Sequence, residues 1–198
     1  MQNKNILITG GAGFLGSNLT RRLLDENKIT LLVKPETDLW RIEDIKNHEN
    51  LEIIEGSLLN KEDIEQIVKE KDYLFHFAWQ TDLKKSMENP LKDLNDDIGG
   101  LINILETCRR INNKIKIIFP STVTVFGEAK KTPSNEDEKE NPLSVYDLHK
   151  LIAEKYLHIY FLNFGIKYCV LRLSNVFGEY QKIDNPNRGV LNFMIGRA

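Results

Sequence analysis

The run Asn5-Ile-Leu-Ile-Thr-Gly-Gly-Ala-Gly-Phe-Leu-Gly16 constrains this chain more than any other stretch. Ile6, Leu7 and Ile8 form a short continuous apolar run, the pattern of a parallel strand buried on both faces. Gly10, Gly13 and Gly16 follow at three-residue spacing, and Leu19, Leu23 and Leu24 then mark one face of a helix. The order is strand, glycine turn, helix. Gly10 permits the tight turn, Gly13 lets the backbone approach a pyrophosphate, and Gly16 lets the helix lie close on the sheet. The new helix, opening at Phe14 and Leu15, turns its unpaired N–H groups and the positive end of its dipole to the same spot.

The remaining chain repeats that alternation. A first helix is expected from about Phe14 to Glu26, and strands at Ile29–Val33, Leu51–Glu55, Tyr73–Phe77, Ile115–Phe119 and Lys167–Leu173. Between them, 36–47 reads as a short polar helix or loop. Asn60 caps a helix reaching Glu70. A long helix spans Leu94–Ile111 with Ile98, Leu101, Ile104 and Leu105 as its buried stripe. Another covers Leu143–Asn163 after a charged, solvated loop at 128–141. Strands alternating with helices predict an α/β fold, a parallel sheet covered on both faces by right-handed crossovers. The glycine turn after strand 1 selects the doubly wound Rossmann order 3-2-1-4-5-6, with ligands beyond the carboxyl ends of the strands.

Composition excludes several classes. A hydrophobic fraction of 41% and a net charge of −2 over 198 residues give no electrostatic footprint for nucleic acid or an anionic membrane surface. No apolar stretch reaches membrane-spanning length. The start of the chain enters a strand without a leader, which points to the cytoplasm. Cys108 and Cys169 sit in apolar, regular segments and read as reduced core thiols. No His, Cys and carboxylate cluster has metal-ligand spacing, so no metal is expected.

Two further constellations carry chemistry. Tyr146 and Lys150 stand four apart on one helix face. A phenol titrates near 10, and a neighbouring ammonium stabilises the phenolate. Tyr146 is thereby a candidate to exchange a proton with a hydroxyl or carbonyl while hydride moves to or from a nicotinamide. The stretch Pro120-Ser-Thr-Val-Thr-Val-Phe-Gly127 follows strand 5 and places hydroxyls at the carboxyl edge of the sheet. His149 is expected to face solvent beside the pair, and His76 to be a satisfied core histidine.

Taken together and in this order, these pieces resemble the extended short-chain dehydrogenase/reductases, and within them the NAD-dependent epimerase/dehydratase family acting on nucleotide sugars. Thr9-Gly-Gly-Ala-Gly-Phe-Leu-Gly16 is similar to that family's cofactor turn. Phe75-His-Phe-Ala-Trp79 resembles its strand 4 ending, where Phe77, Ala78 and Trp79 pass the cofactor. The resemblance implies Tyr146 as acid/base, Lys150 holding the nicotinamide ribose and lowering the tyrosine pKa, and Thr122 orienting the reacting oxygen. Leu171-Arg-Leu-Ser-Asn-Val-Phe-Gly178 is similar to the segment after strand 6, where Asn175 would meet the substrate. It implies NAD or NADP as cofactor, a nucleotide-sugar substrate, and a homodimer through the helices after strands 4 and 5; Ile98, Leu101, Leu105 and the helix from Tyr146 to Phe164 suit that role or, equally, that of covering the sheet.

The chain departs from the family pattern in places. Strand 2 ends at Lys34 rather than an acid, which tilts the cofactor toward NADP. Glu36 and Asp38 remain near enough for a ribose. Ser57 and Leu58 stand where the family carries its adenine-contacting Asp. Asp97 replaces an Asn and is expected to weaken a structural hydrogen bond. Val123 and Thr124 replace the acidic pair of the dehydratases, which argues against dehydration. Residues 1–178 are expected to form the dinucleotide domain, and 179–198 the start of an incomplete substrate portion, with Val190, Leu191, Met194 and Ile195 opening a helix. The expected activity is a nucleotide-sugar epimerase or ketoreductase. The alternatives are a dinucleotide-binding module or inactive subunit without turnover, and a reductase of non-sugar carbonyls.

Overall fold

The structure is a computed structural model and describes residues 1–128, 133, 135–182, 194 and 196. Its centre is one six-stranded parallel sheet in the order β3-β2-β1-β4-β5-β6. The strands are β1 (Asn5–Thr9), β2 (Lys28–Val33), β3 (Leu51–Glu55), β4 (Tyr73–His76), β5 (Lys116–Thr122) and β6 (Lys167–Leu173). The helices are α1 (Phe14–Leu24), α2 (Lys61–Val68), α3 (Leu83–Glu88), α4 (Pro90–Asp93), α5 (Gly100–Ile111) and α6 (Val145–Phe164). The order expected from the glycine turn is the order found. It puts β1 and β4 side by side, with Ile6 opposite Tyr73 and Thr9 opposite His76. The sheet's crossovers diverge there, and the crevice opens at that point.

Alternate strand residues feed alternate layers. Ile6, Ile8, Ile29, Leu31 and Val33 pack with α1 and the 3-10 turn Trp40–Ile42 on one face. Leu7, Leu32, Leu74, Ile117 and Phe119 pack with α2, α5 and α6 on the other. α2 begins where Asn60 accepts hydrogen bonds from the Glu62 and Asp63 N–H groups at 2.9 and 3.2 Å. α6 begins at Ser144, whose hydroxyl accepts from Asp147 N–H, and ends at Gly165 in the left-handed region, φ +73°.

Four expectations are corrected. The fifth strand runs on to Thr122, because Pro120, Ser121 and Thr122 stay in register with Leu171, Arg172 and Leu173. Pairing with β4 ends at Ile118, so Pro120's missing N–H leaves no gap in that ladder. The long helix after Pro90 contains a π-helical turn, Leu94–Gly99, between α4 and α5, and Asp97 and Ile98 are buried on it. Ile98, Leu101 and Leu105 are in the core against the sheet, so they are not a free dimer stripe. Cys169 is exposed, because β6 is an edge strand; Cys108 is buried, and its thiol is pushed up to about 12 by burial. The helix expected at Val190, Leu191 and Ile195 lies outside the described residues, as does part of the charged loop.

Candidate functional site

Two clefts open at the carboxyl ends of the strands and share Gly10, Gly13, Arg41 and Trp79. The first, about 750 Å³, runs over β2 and β3 past Lys34, Asp38, Ser57, Leu58 and Ala78 to Asp97. The second, about 570 Å³, lies over β5 and β6 and holds Phe14, Leu15, Gly16, Phe77, Thr122, Tyr146, Lys150 and Asn175. Of the residues singled out from the sequence for cofactor, substrate or catalysis, the structure gathers all but Glu36 onto two adjoining walls. Glu36 is not among the lining residues, and Asp38 is.

The glycine turn between the clefts is sterically closed to side chains. Gly10 has φ +70°, and a Cβ there would stand 2.7 Å from Ala78 N. A Cβ at Gly16 would stand 2.4 Å from the Gly10 carbonyl oxygen, so the third glycine is needed by the turn itself. α1 starts at Phe14 with no side-chain cap and no acidic residue in its first turn. Its leading N–H groups and positive dipole end therefore face the crevice without a resident anion.

Lys34 is exposed on the rim of the first cleft, beside Thr37 and Asp38. Ser57 stands under Asp63, whose carboxylate accepts its N–H at 2.8 Å, and its hydroxyl accepts from Leu59 N–H at 3.2 Å. Asp97 accepts from Gln80 N–H with both oxygens at 3.1 Å. Burial pushes this carboxyl up to about 7; Asp93 and Asp96 push the same way, against Gln80 N–H and Lys150.

The second cleft carries an ordered chain of hydroxyls. Thr124 donates to the Asp147 carboxylate, which leaves Thr122 Oγ1 to donate to Thr124 Oγ1 at 2.7 Å. Thr124 N–H donates back to Thr122 Oγ1 at 3.2 Å. Ser144 Oγ donates to the other Asp147 oxygen at 2.6 Å. Asp147 thus sets the direction of the Thr122 hydroxyl, and a lone pair on Thr122 Oγ1 is left for an incoming hydroxyl.

Lys150 is 3% exposed, its Nζ donating to the Pro120 carbonyl at 2.7 Å. The ammonium lies 4.2 and 4.4 Å from the centres of the Trp79 and Phe119 rings, and 5.8 Å from that of Tyr146. Burial pulls it down to about 7, against Asp97 and Glu154. The Tyr146 phenol moves up to about 12, from burial first and then Asp147 and Asp97. This corrects the expectation that Lys150 lowers the phenol: in this arrangement burial and the two carboxylates set the direction.

Both histidine expectations are also corrected. His149 is buried, its Nδ1 3.0 Å from an Asp93 carboxylate oxygen, because α6 turns that face onto α4. His76 pairs with Thr9 Oγ1 at 2.7 Å, but its buried Nε2 has no hydrogen-bond partner among the described residues, and burial, with Lys150 beside it, holds its pKa near 3. The sequence reading missed Asp147, Thr124, Arg41 and Glu154. Asp147 had a local signal, the Ser144-x-x-Asp147 capping spacing. Glu154 had none. It accepts from Ser121 Oγ and Arg172 across three elements, behind Thr122.

The model of the NAD dependent epimerase/dehydratase family matches residues 6–198. A putative UDP-glucose 4-epimerase of Methanocaldococcus jannaschii is 35% identical over 97% of this chain and 62% of that protein. The structure of a UDP-N-acetylglucosamine 4-epimerase from Methanobrevibacter ruminantium, in complex with UDP-N-acetylmuramic acid, superposes with a TM-score of 0.90 at 36% identity. It covers 97% of this chain and 61% of that one. A UDP-glucuronic acid 4-epimerase from Bacillus cereus, in complex with UDP-glucuronic acid and NAD, gives 0.82 at 29% identity over 91% and 60% of the two chains. The chain spans about three fifths of the length of these proteins.

Proposed function

The chain belongs to the NAD-dependent epimerase/dehydratase family, and from that premise we propose that it is the dinucleotide-binding and proton-transferring part of a nucleotide-sugar epimerase. One observation carries this reading: Thr122, Tyr146 and Lys150 line the same cleft as the glycine turn. Relatives named as UDP-sugar epimerases support the substrate class.

The site fits a dinucleotide. Gly10 and Gly16 leave no room for a Cβ at the turn, and the uncapped start of α1 is suited to a pyrophosphate. When bound, a nicotinamide supplies a hydride acceptor able to return the hydride. The chain supplies the rest. Thr122 Oγ1, oriented through Thr124 and Asp147, would position a sugar hydroxyl by accepting from it until that proton turns to Tyr146. Tyr146 exchanges the proton of that hydroxyl, and Lys150 would hold the ribose. Lys34 and Arg41 on the cleft wall favour a 2′-phosphate, and Asp38 favours free ribose hydroxyls.

The test is a titration of the chain with NADH and NADPH, following tryptophan emission from Trp79, then incubation with UDP-glucose or UDP-N-acetylglucosamine and assay for the epimer. Tyr146→Phe is expected to keep dinucleotide affinity within about twofold and to cut turnover at least about a hundredfold. Failure of both dinucleotides to bind would overturn the proposal. The share of the relatives' length that the chain spans supports a second reading, a dinucleotide-binding module without turnover of its own. Binding without turnover is its signature.

A further inference from the structure

After β6 the chain does not leave the sheet edge directly. Residues Gly178–Gln181 cross back over the start of α1. Three contacts from three places hold them there. Asn18 Nδ2 donates to the Phe14 carbonyl at 2.9 Å and to the Glu179 carbonyl at 3.0 Å. Arg41 Nε donates to the Tyr180 carbonyl at 2.9 Å. The Arg21 guanidinium stacks on the Tyr180 ring, 3.9 Å from its centre. Arg21 is itself fixed, donating to the Arg41 carbonyl and to Asp44. Tyr180 has φ +65°, a left-handed conformation that a tyrosine avoids without such restraint.

This crossing meets the clefts through Arg41, which holds the Tyr180 carbonyl, and through Gln181. Arg41 lines both, and Gln181 and Lys182 line the second one together with Gly10, Gly13 and Phe14. Arg41 and Lys182 thus bring two cations to the walls of the cleft that the glycine turn also lines. The same crossing is continuous with Asn175 and Val176, which line the second cleft.

We infer that Gly178–Gln181 is a latch that closes over the pyrophosphate of a bound dinucleotide and slows its release, with Tyr180 as the positioning residue that holds the latch shut. The inference rests on the dinucleotide reading of the site and extends it to cofactor retention. The chemistry gives retention a purpose. An epimerase returns hydride to the sugar it came from, so a cofactor that left in mid-cycle would strand a ketone. A reductase must instead exchange its cofactor at every turnover.

The experiment loads the chain with NADH and chases it with excess NAD in a stopped-flow fluorimeter, reading the loss of NADH emission. Tyr180→Ala is expected to release NADH about tenfold faster, the scale of one lost cation–π contact and its restraint, with the association rate unchanged. Tyr180→Phe keeps the ring over Arg21 and is expected to release at the wild-type rate, which a general loss of folding would not reproduce. Unchanged release from Tyr180→Ala, or equally fast release from Tyr180→Phe, overturns the latch and leaves the dinucleotide reading standing. Absence of NADH binding by the wild-type chain overturns both.

Discussion

Asp97 is a carboxylate buried beside a buried lysine, in a position where its two oxygens take a backbone N–H. Its pKa is raised to about 7, so the folded chain keeps a proton that the unfolded chain loses near pH 4. The stability this proton confers is complete below about pH 4 and is lost as the pH rises to about 7. Asp97→Asn removes the titration and keeps an acceptor for Gln80. Urea melts from pH 4 to pH 8 are expected to show the variant gaining on wild type as the pH rises, by about 2–4 kcal/mol across the window. A constant difference between the two would contradict the assignment. The pairing of Tyr146 with Lys150 is visible in the sequence as an i, i+4 spacing, and Thr122 is singled out there only by the family resemblance. The direction of the Thr122 hydroxyl is not visible there, because it depends on Thr124 and Asp147 from separate elements.

Among the elements, the glycine turn and the end of α6 offer a controlled comparison. Gly10 and Gly165 both have positive φ, at +70° and +73°. A Cβ on Gly165 meets nothing within 4 Å, whereas one on Gly10 meets the backbone of Phe77 and Ala78 at under 3 Å. Gly165→Ala is expected to cost about 1 kcal/mol, the left-handed penalty alone, and to leave NADH binding intact. Gly10→Ala adds a clash with backbone that cannot yield without parting β1 from the β4 loop. It is expected to cost more than about 2 kcal/mol and to abolish binding. Thermal melts with NADH titrations read both. The turn's role was legible from the spacing of its glycines. That Gly10 is pressed by Ala78, 68 residues on, was not, because strand adjacency is a property of the sheet.

At the scale of the whole molecule, the apolar residues fall into two sets. Ile98, Leu101 and Leu105 are buried on the sheet, but Leu83, Met87 and Leu91 on α3 and α4, with Leu148 on α6, remain exposed near one another in the chain's α3–α6 packing. The homodimer expected from the family resemblance would bury an exposed apolar surface of this kind. Sedimentation velocity at micromolar concentration is expected to give twice the chain mass, and Met87→Glu with Leu91→Glu to give the monomer with an unchanged circular dichroism spectrum. A monomeric wild type would contradict the homodimer that the family resemblance implies. The helices after strands 4 and 5 were identifiable from periodicity, but which of their faces the sheet takes was not. A hydrophobic stripe looks the same whether it covers a sheet or a second chain. What the sequence alone determined was the parallel α/β fold, its strand order and the location of the glycine turn, Thr122, Tyr146 and Lys150. Each follows from local periodicity, from backbone sterics or, for the catalytic assignments, from a family resemblance. What only the tertiary structure decided was burial and partnership: His149 turned inward onto Asp93, Lys150 held by Pro120, Cys169 exposed on an edge, and Tyr180 folded back over α1. These depend on contacts between residues distant in sequence, and the free energy of a charge or a hydroxyl is set by the neighbours that packing brings to it.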